Sequence, residues 1–476
     1  ELAGGGVLGL GAGDLTNRTI GTDDNQVRWL GSGGFAALGA DRTVKFSDSA
    51  INWTAADFIG AGNLLILGHD TADAMLDWQQ NLSLWGFARI IQVDDGSAPI
   101  DAKISGIITG GSSTTNPTAN ILTKAGAGTL AFTAQNSHWG DTIVGSGTLM
   151  IGEGGTTGGV SSNSQNIIVE PGATLAVNRS NTLTQGNSAL KVAITGDGGF
   201  SQVGTGVTVL TLPNTYIGPT TVTAGMLAWG ANDVIADESS ILLGSATLDA
   251  GTFTDTLGAL NVAGTATINL GTGAAVSFAN SSATDWSGGT LNLSGEFVSG
   301  ASLRFGTGSN GLTPSQLAAI TRTGFSSFSL DSQGYLVGIP LTGYPAWKLV
   351  NAPTGTSADD FDNDGVPNAI EYLLGGTAAT HDLAKLPTAT TAGGNMVFTF
   401  VRDQASIDGS TTVAIQVGGN LVDWPEIHPV PDTAVSNNPG LTVQKNNPAT
   451  GQDTITLVVP LSALPKFARL QVWVAP

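Results

Sequence analysis

Apolar and polar residues alternate in short runs over the first three hundred positions, as in Thr148-Leu149-Met150-Ile151 and Thr265-Ala266-Thr267-Ile268-Asn269-Leu270. Strict alternation is the period of a strand that buries one face. A beat runs through these segments: Gly147-Thr148-Leu149, Thr174-Leu175, Gly225-Met226-Leu227, Thr247-Leu248, Thr267-Ile268 and Gly289-Thr290-Leu291. Several of its Leu/Ile positions recur after roughly 20 to 23 residues, the length of one coil of a parallel β-helix with two or three short strands per turn. Glycines take the corners. An array of antiparallel sandwiches is the alternative, but sandwiches rarely hold so short a beat.

A longer self-match overlies the beat. Gly126, Gly128, Phe132, Asn136, Gly140, Thr142, Val144, Gly147 and Leu149 recur as Gly204, Gly206, Leu210, Asn214, Gly218, Thr220, Val222, Gly225 and Leu227, each shifted by 78. The pattern predicts an all-β chain with a solenoid over residues 1–339. The parallel stack is expected to end near Gly311. Thr313-Pro314-Ser315-Gln316 carries N-cap, first-turn proline and capping-box signals for a short capping helix at 313–320. Residues 340–380 read as a linker, with Pro340 and Pro345 at its start. Residues 381–476 read as a small β-sandwich. Its strand-like runs are Met396–Val401, Thr412–Val417, Leu441–Gln444, Thr454–Val459 and Ala468–Val474, parted by turns such as Asp408-Gly409 and Asn446-Asn447-Pro448.

Composition supports a folded, weakly solvated chain: 67 of 476 residues are glycine and 11% are charged, yet 41% are hydrophobic. The net charge of −20 argues against a nucleic-acid partner or an anionic membrane surface, since both would be repelled. With no cysteine, disulfides, thiolate zinc sites and cysteine nucleophiles are excluded. Apolar runs such as Leu64–Leu67 are far shorter than the ~20 residues that span a bilayer, so no membrane insertion is expected. The start at Glu1, without an initiator Met or signal-like region, reads as a processed or trimmed chain.

One segment carries specific chemistry. In Asp360-Phe361-Asp362-Asn363-Asp364-Gly365-Val366-Pro367-Asn368-Ala369-Ile370-Glu371, oxygen donors fall at positions 1, 3, 5, 9 and 12 of a twelve-residue EF-hand-like loop, glycine at 6 and a backbone carbonyl at 7. A hard cation needs six to eight oxygens, and glycine at position 6 lets the chain turn to converge them. Asp360, Asp362, Asp364, Val366, Asn368 and Glu371 are therefore the expected ligands of Ca2+. A solvated acidic turn is the plainer alternative. A single loop suits a structural clip between domains better than a paired sensor.

No catalytic constellation emerges, and the chain reads as a non-enzyme. His69, His138, His381 and His428 are scattered, without the short spacing of a helical zinc pair. Solenoids can act on polysaccharides, and Asp70, Asp73, Asp77, Asp94 and Asp95 are the acids available for that alternative. Trp29, Trp53, Trp78 and Trp85 suit either sugar stacking or the filling of wide coils. Asn136 and Asn214 suit bonds between neighbouring coils.

The pattern Gly-x-Gly, alternating apolar residues, then Asn-x-x-x-Gly-x-Thr-x-Val-x-x-Gly-x-Leu, at residues 126–151 and 204–229, resembles the autotransporter-associated β-strand repeat of large secreted bacterial surface proteins. Residues 6–111, with Gly33-Gly34-Phe35 and Val93-Asp94-Asp95-Gly96-Ser97, are similar to the regions that flank such repeats. The tail, with Asp359–Gly376 and Phe398–Arg402, is similar to C-terminal modules of surface proteins in Verrucomicrobia-like bacteria. The resemblance implies a right-handed parallel β-helix at the cell surface, without defined catalytic residues. Members of the class end in a membrane β-barrel, whereas this chain ends Gln471-Val472-Trp473-Val474-Ala475-Pro476, so secretion through an attached barrel is not expected. The expected role is an extracellular structural protein, a surface rod or self-assembling fibre subunit with adhesive character. Its expected partners are further copies of itself, joined head to tail or edge to edge, and surface glycans; the alternative is a carbohydrate-binding or carbohydrate-active β-helix.

Overall fold

The computed structural model describes residues 1–110, 120–434, 437–462 and 465–475. The chain divides into two compact units, Glu1–Arg322 with Ser327–Gly338, and Thr323–Ser326 with Ile339–Pro476. Among the described residues no helix is long and apolar enough to cross a membrane.

The first unit is a parallel β-helix. One wall is an eight-stranded sheet running from Gly6–Leu10 to Ile194–Thr195, and a second is a twelve-stranded sheet that reaches Leu260–Val262. A third wall begins with three short strands, Ile51–Asn52, Leu82–Ser83 and Ile108–Thr109, and resumes as a seven-stranded sheet from Leu183–Thr184 to Ile320–Thr321. Strands pair with their equivalents one coil away, so like side chains stack: Leu130 lies beside Leu149, and Leu149 beside Leu175. These leucines are fully buried while Thr129, Thr148 and Thr174 are half-buried, which is the alternation of the sequence turned into an inside and an outside.

Coil size departs from the beat of the sequence in several places and most widely near the N-terminus. Phe132 pairs with Ile151 and Leu243 with Val262 in short coils, Ile151 with Val177 and Leu291 with Ile320 in longer ones, and Val44 near the N-terminus pairs with Trp78, a far longer step along the chain. Aromatic rings fill these wide coils. Trp29 lies 4.8 Å from Phe58, 5.8 Å from Phe35 and 6.0 Å from Phe46, and Phe46 lies 5.9 Å from Trp78. Trp29, Trp53 and Trp78 are thus core residues; Trp85 is 57% exposed. A larger perimeter needs larger side chains to reach native packing density, which aliphatic residues alone do not supply there.

The parallel stack continues past Gly311, because Ile320–Thr321 still pairs with Leu291–Asn292. Between them lies the helix Pro314–Ala318. The Thr313 hydroxyl accepts from the Gln316 N–H, and the Gln316 side chain accepts from the Thr313 N–H, which completes the capping box. Gln316 also donates to the carbonyls of Ser281 and Thr284, both at 2.9 Å, and so bonds the helix to the coil below.

In the second unit, a four-stranded antiparallel sheet holds Thr388–Ala392, Asn395–Asp403, Gln452–Pro460 and Leu441–Lys445 in that order. A three-stranded sheet holds Glu426–Pro429, Thr411–Gly418 and Phe467–Val474. Met396, Phe398, Phe400, Ile455 and Leu457 of the first share one apolar core with Val413, Ile415, Val417 and Leu470 of the second. Leu373, Leu374 and Ile370, which follow the acidic loop, pack into the same core, so residues 340–380 fold as part of this unit. Asp453 is fully buried between Arg402 at 3.0 Å and Lys445 at 2.7 Å. Burial raises its pKa, but hydrogen bonds from Lys445, Gln404 and Arg402 outweigh this and bring it down to about 2.

Candidate functional site

The loop from Asp360 is where the sequence concentrates oxygen donors. Ligand oxygens of Asp360, Asp362 and Asp364 lie within 4.8 Å of one another. The loop holds itself in that shape. Asp360 accepts from the N–H groups of Asp364 at 3.1 Å and Gly365 at 2.7 Å, and Asp364 accepts from Val366 at 2.8 Å. Gly365 has φ +93°, where an L side chain would be strained, and Asn363 takes the left-handed region at +61°.

Glu371 sits one turn into the helix Asn368–Leu373, 1% exposed, and among the described residues neither of its carboxylate oxygens has a hydrogen-bond partner; Asp362 Oδ2 also has none there. The Glu371 pKa is pushed up to about 7, first by burial and then by the charges of Asp362, Asp364, Asp360 and Asp382. A buried carboxylate without partners is costly, and a hard cation among these oxygens can relieve it. Asn368 is placed differently from the aspartates: its Oδ1 accepts from the Phe361 N–H at 3.2 Å and its Nδ2 donates to the Thr356 carbonyl at 2.9 Å, so its side chain ties the loop to its own flank. Val366 is buried at the loop's exit. Asp382 stands outside the twelve-residue pattern and was not legible there. Its N–H donates to Asp364 Oδ2 at 3.1 Å and its carboxylate accepts from the Thr377 N–H.

The acids considered for polysaccharide chemistry serve the backbone or their neighbours. Asp73 accepts from the Gly39 N–H at 2.6 Å, Asp77 from the Ser105 hydroxyl at 2.6 Å, and Asp94 from Gln92 at 2.7 Å. Asp70 is exposed beside His69, 2.7 Å away, and Asp95 contributes charge near Lys124. His381 is exposed. His428 is half-buried 4.0 Å from Glu426, and His138 is fully buried, its pKa lowered to about 4 by burial.

A second set of buried polar groups lies within the two copies of the sequence self-match. Asn136 accepts from the Ile108 N–H of the coil below at 2.9 Å and donates to the Gly159 carbonyl of the coil above at 3.0 Å. Asn214 does the same with Ile194 at 2.8 Å and Val234 at 2.7 Å. His138 meets the Thr142 hydroxyl at 3.0 Å, and at the equivalent position Tyr216 meets Thr220 at 2.7 Å. Lys124 donates to the carbonyls of Gly126 at 2.6 Å, Ser146 at 2.8 Å and Gly128; its counterpart Gln202 donates to those of Gly204 and Gly206. Burial brings Lys124 down to about 8, against the charges of Asp101, Asp95 and Asp94, while three carbonyl acceptors match the three protons of the ammonium. The corners Gly147 and Gly225 have φ +62° and +61°, and a Cβ on either would press on the carbonyl of Gly128 or Gly206. The sequence match marked the asparagines and glycines. It missed Lys124 and Gln202 because their residue types differ.

The passenger-associated transport repeat matches residues 122–151 and 200–228, the two segments whose buried bonds have just been described. Among curated proteins, the adhesin BmaC autotransporter of Brucella suis biovar 1 (strain 1330) is 30% identical over 276 residues, covering 47% of this chain and 8% of that protein. The chain thus spans less than a tenth of that relative's length. No solved structure matches.

Proposed function

We propose that this chain, in which two segments match the passenger-associated transport repeat, is a cell-surface β-solenoid with a structural and adhesive role, its second unit clipped by Ca2+. The observation that carries the reading is that both copies of the repeat bury an asparagine bonded to the coil below and to the coil above. Parallel stacking with buried bonds between coils makes a stiff stalk, because each coil is held by its neighbours and not by a distant contact. The adhesin relative supports the surface role. Labelling of intact cells that express the full-length protein tests it: antibody should bind unpermeabilised cells, and labelling only after permeabilisation would overturn the reading. Sedimentation and electron microscopy of purified chain test self-association, where rods that lengthen with concentration favour the fibre subunit and monodisperse rods leave the stalk.

For calcium, the supporting observation is Glu371, buried without a hydrogen-bond partner among the described residues and under the charge of the three clustered aspartates. Asp360, Asp362, Asp364, Glu371 and the Val366 carbonyl are the proposed ligands, with Asn368 holding the loop start. A ligand bound only by the folded state at a hundredfold excess over Kd adds about 2.7 kcal/mol. Melting of the second unit should therefore rise by several degrees in calcium and fall in chelator, and Glu371→Gln should abolish the difference. Identical melting in calcium and chelator would sink the site.

A further inference from the structure

A wide polar cleft lies on the first coils of the solenoid, away from the acidic loop. Its volume of 830 Å³ is in the range of small-ligand sites, and its lining comes from three successive coils: Asn17, then Lys45, Ser47 and Asp48, then Gln80 and Asn81. Its walls are fixed from below. Gln80, 2% exposed, donates to the Asp48 carbonyl at 2.8 Å, and Asn81 bridges the Ser49 carbonyl and the Ile107 N–H.

Above those fixed bonds the groups that face solvent are uncommitted. Asn17, Lys45, Ser47 and Asp48 are exposed, and no ion pair among the described residues engages Lys45 or Asp48. Asn17 is also set apart from its neighbours in the cleft by its backbone. The register of Leu15–Ile20 against Arg42–Phe46 shifts between Thr16 and Arg18, so Asn17 is the extra residue of a bulge, at φ +57°. Bulges re-aim a side chain out of the ladder, and asparagine is among the few non-glycine residues that accept the left-handed region such a bulge needs. A second polar cleft of 590 Å³, which reaches Thr22 and Asp23, also includes Asn17, so the residue stands where the two meet.

The chemistry narrows the ligand. A carboxylate, an ammonium, an amide and a hydroxyl within one cleft offer acceptors and donors in balance, which suits a ligand that is itself both, hydroxyl by hydroxyl. Phosphate-rich ligands meet Asp48 and Asp23, and apolar ligands find no exposed apolar lining. We propose that the cleft around Asn17 binds a neutral oligosaccharide, longer than one sugar ring because the site extends to both sides of that residue. The proposal rests on the surface reading above and gives its adhesive part a location.

The test is an array of immobilised neutral, uronate-containing and sialylated oligosaccharides probed with the full chain, followed by titration of the strongest neutral oligosaccharide. Asn17→Gly keeps the bulge backbone and removes the amide, and Lys45→Gln removes the ammonium at an exposed position. Each should weaken binding about tenfold or more, equivalent to about 1.4 kcal/mol, with unchanged melting. Trp85→Ala, at the exposed aromatic turn, should leave binding intact. Absence of binding to every neutral oligosaccharide, unchanged binding in both cleft variants, or loss in Trp85→Ala alone would each overturn the site. Cell labelling is read independently, so a surface-exposed chain that binds no glycan removes only this inference.

Discussion

Residues 122–151 and 200–228 follow the same local path, yet they lie on different walls of the solenoid. In the first copy the corner at Gly147 joins Trp139–Val144 of the eight-stranded sheet to Thr148–Ile151 of the twelve-stranded one. In the second, Gly225 joins Thr220–Val222 of the twelve-stranded sheet to Met226–Trp229 of the seven-stranded one. Three coils on from Thr142 the chain regains the same wall near Asn214 and Thr215, several residues short of Thr220. The repeat is therefore a strand-corner-strand unit and not a whole number of coils. What it keeps is a bonding scheme: an asparagine between coils, a hydroxyl met by a ring, a polar side chain over the corner carbonyls. Lys and Gln, or His and Tyr, fill the same places because the acceptors are backbone or hydroxyl oxygens that either type can reach.

The comparison can be broken most severely at the asparagines. Asn136→Leu leaves the Ile108 N–H and the Gly159 carbonyl buried without partners, at about 1–3 kcal/mol each. Asn214→Leu should cost more, since Asn214 also bonds Gln185 at 2.7 Å. Denaturant unfolding reads the total, and hydrogen exchange should show the Ile108 and Ile194 amides losing protection; retained protection would refute the inter-coil role.

A smaller and pH-dependent difference separates His138 from Tyr216. His138 is buried neutral with its pKa lowered to about 4 from an ordinary 6.5, so the unfolded chain binds the proton more readily. Stability is then full above pH 6.5 and declines as pH falls toward 4, by about 3 kcal/mol at the end of that window. His138→Tyr should flatten the profile between those two values, and Tyr216→His should introduce a new slope in the second copy. Parallel profiles in wild type and His138→Tyr would show that another group sets the acid limit.

The smallest effect is expected where the two copies differ most in charge. Lys124→Gln makes the first corner like the second and should cost about 1 kcal/mol, as two of three carbonyls keep a donor. Gln202→Lys should cost about 2 kcal/mol, because the Thr208 hydroxyl loses Gln202 Oε1, its acceptor at 2.6 Å. Thr208→Leu, which supplies the residue found at Leu130, should recover part of it. A double-mutant cycle on 202 and 208 with no coupling would mean that the corner does not depend on this pair.

Much of the architecture was legible in the chain. Alternation and corner glycines located the strands of the first unit, and five strands of the second, such as Thr411–Gly418 and Phe467–Val474, coincide with apolar runs between turn signals. Coil width was not legible, because Trp29, Phe46 and Trp78 meet across coils and no local spacing reveals that they share one core. In the acidic loop the order of oxygens was fully visible. The burial of Glu371 and the approach of Asp382 were not, since both depend on how the following helix packs.

By itself, then, the order of residues determined strand positions, the solenoid class, the repeat and the loop's donor set, because these rest on short periods and on φ angles that few residues accept. Tertiary structure alone decided which wall each repeat occupies, that Lys124 and Gln202 do one job, and that Asn17 stands in a bulge where two clefts meet. Those facts depend on register between coils, which accumulates over every intervening loop and cannot be read from any one of them.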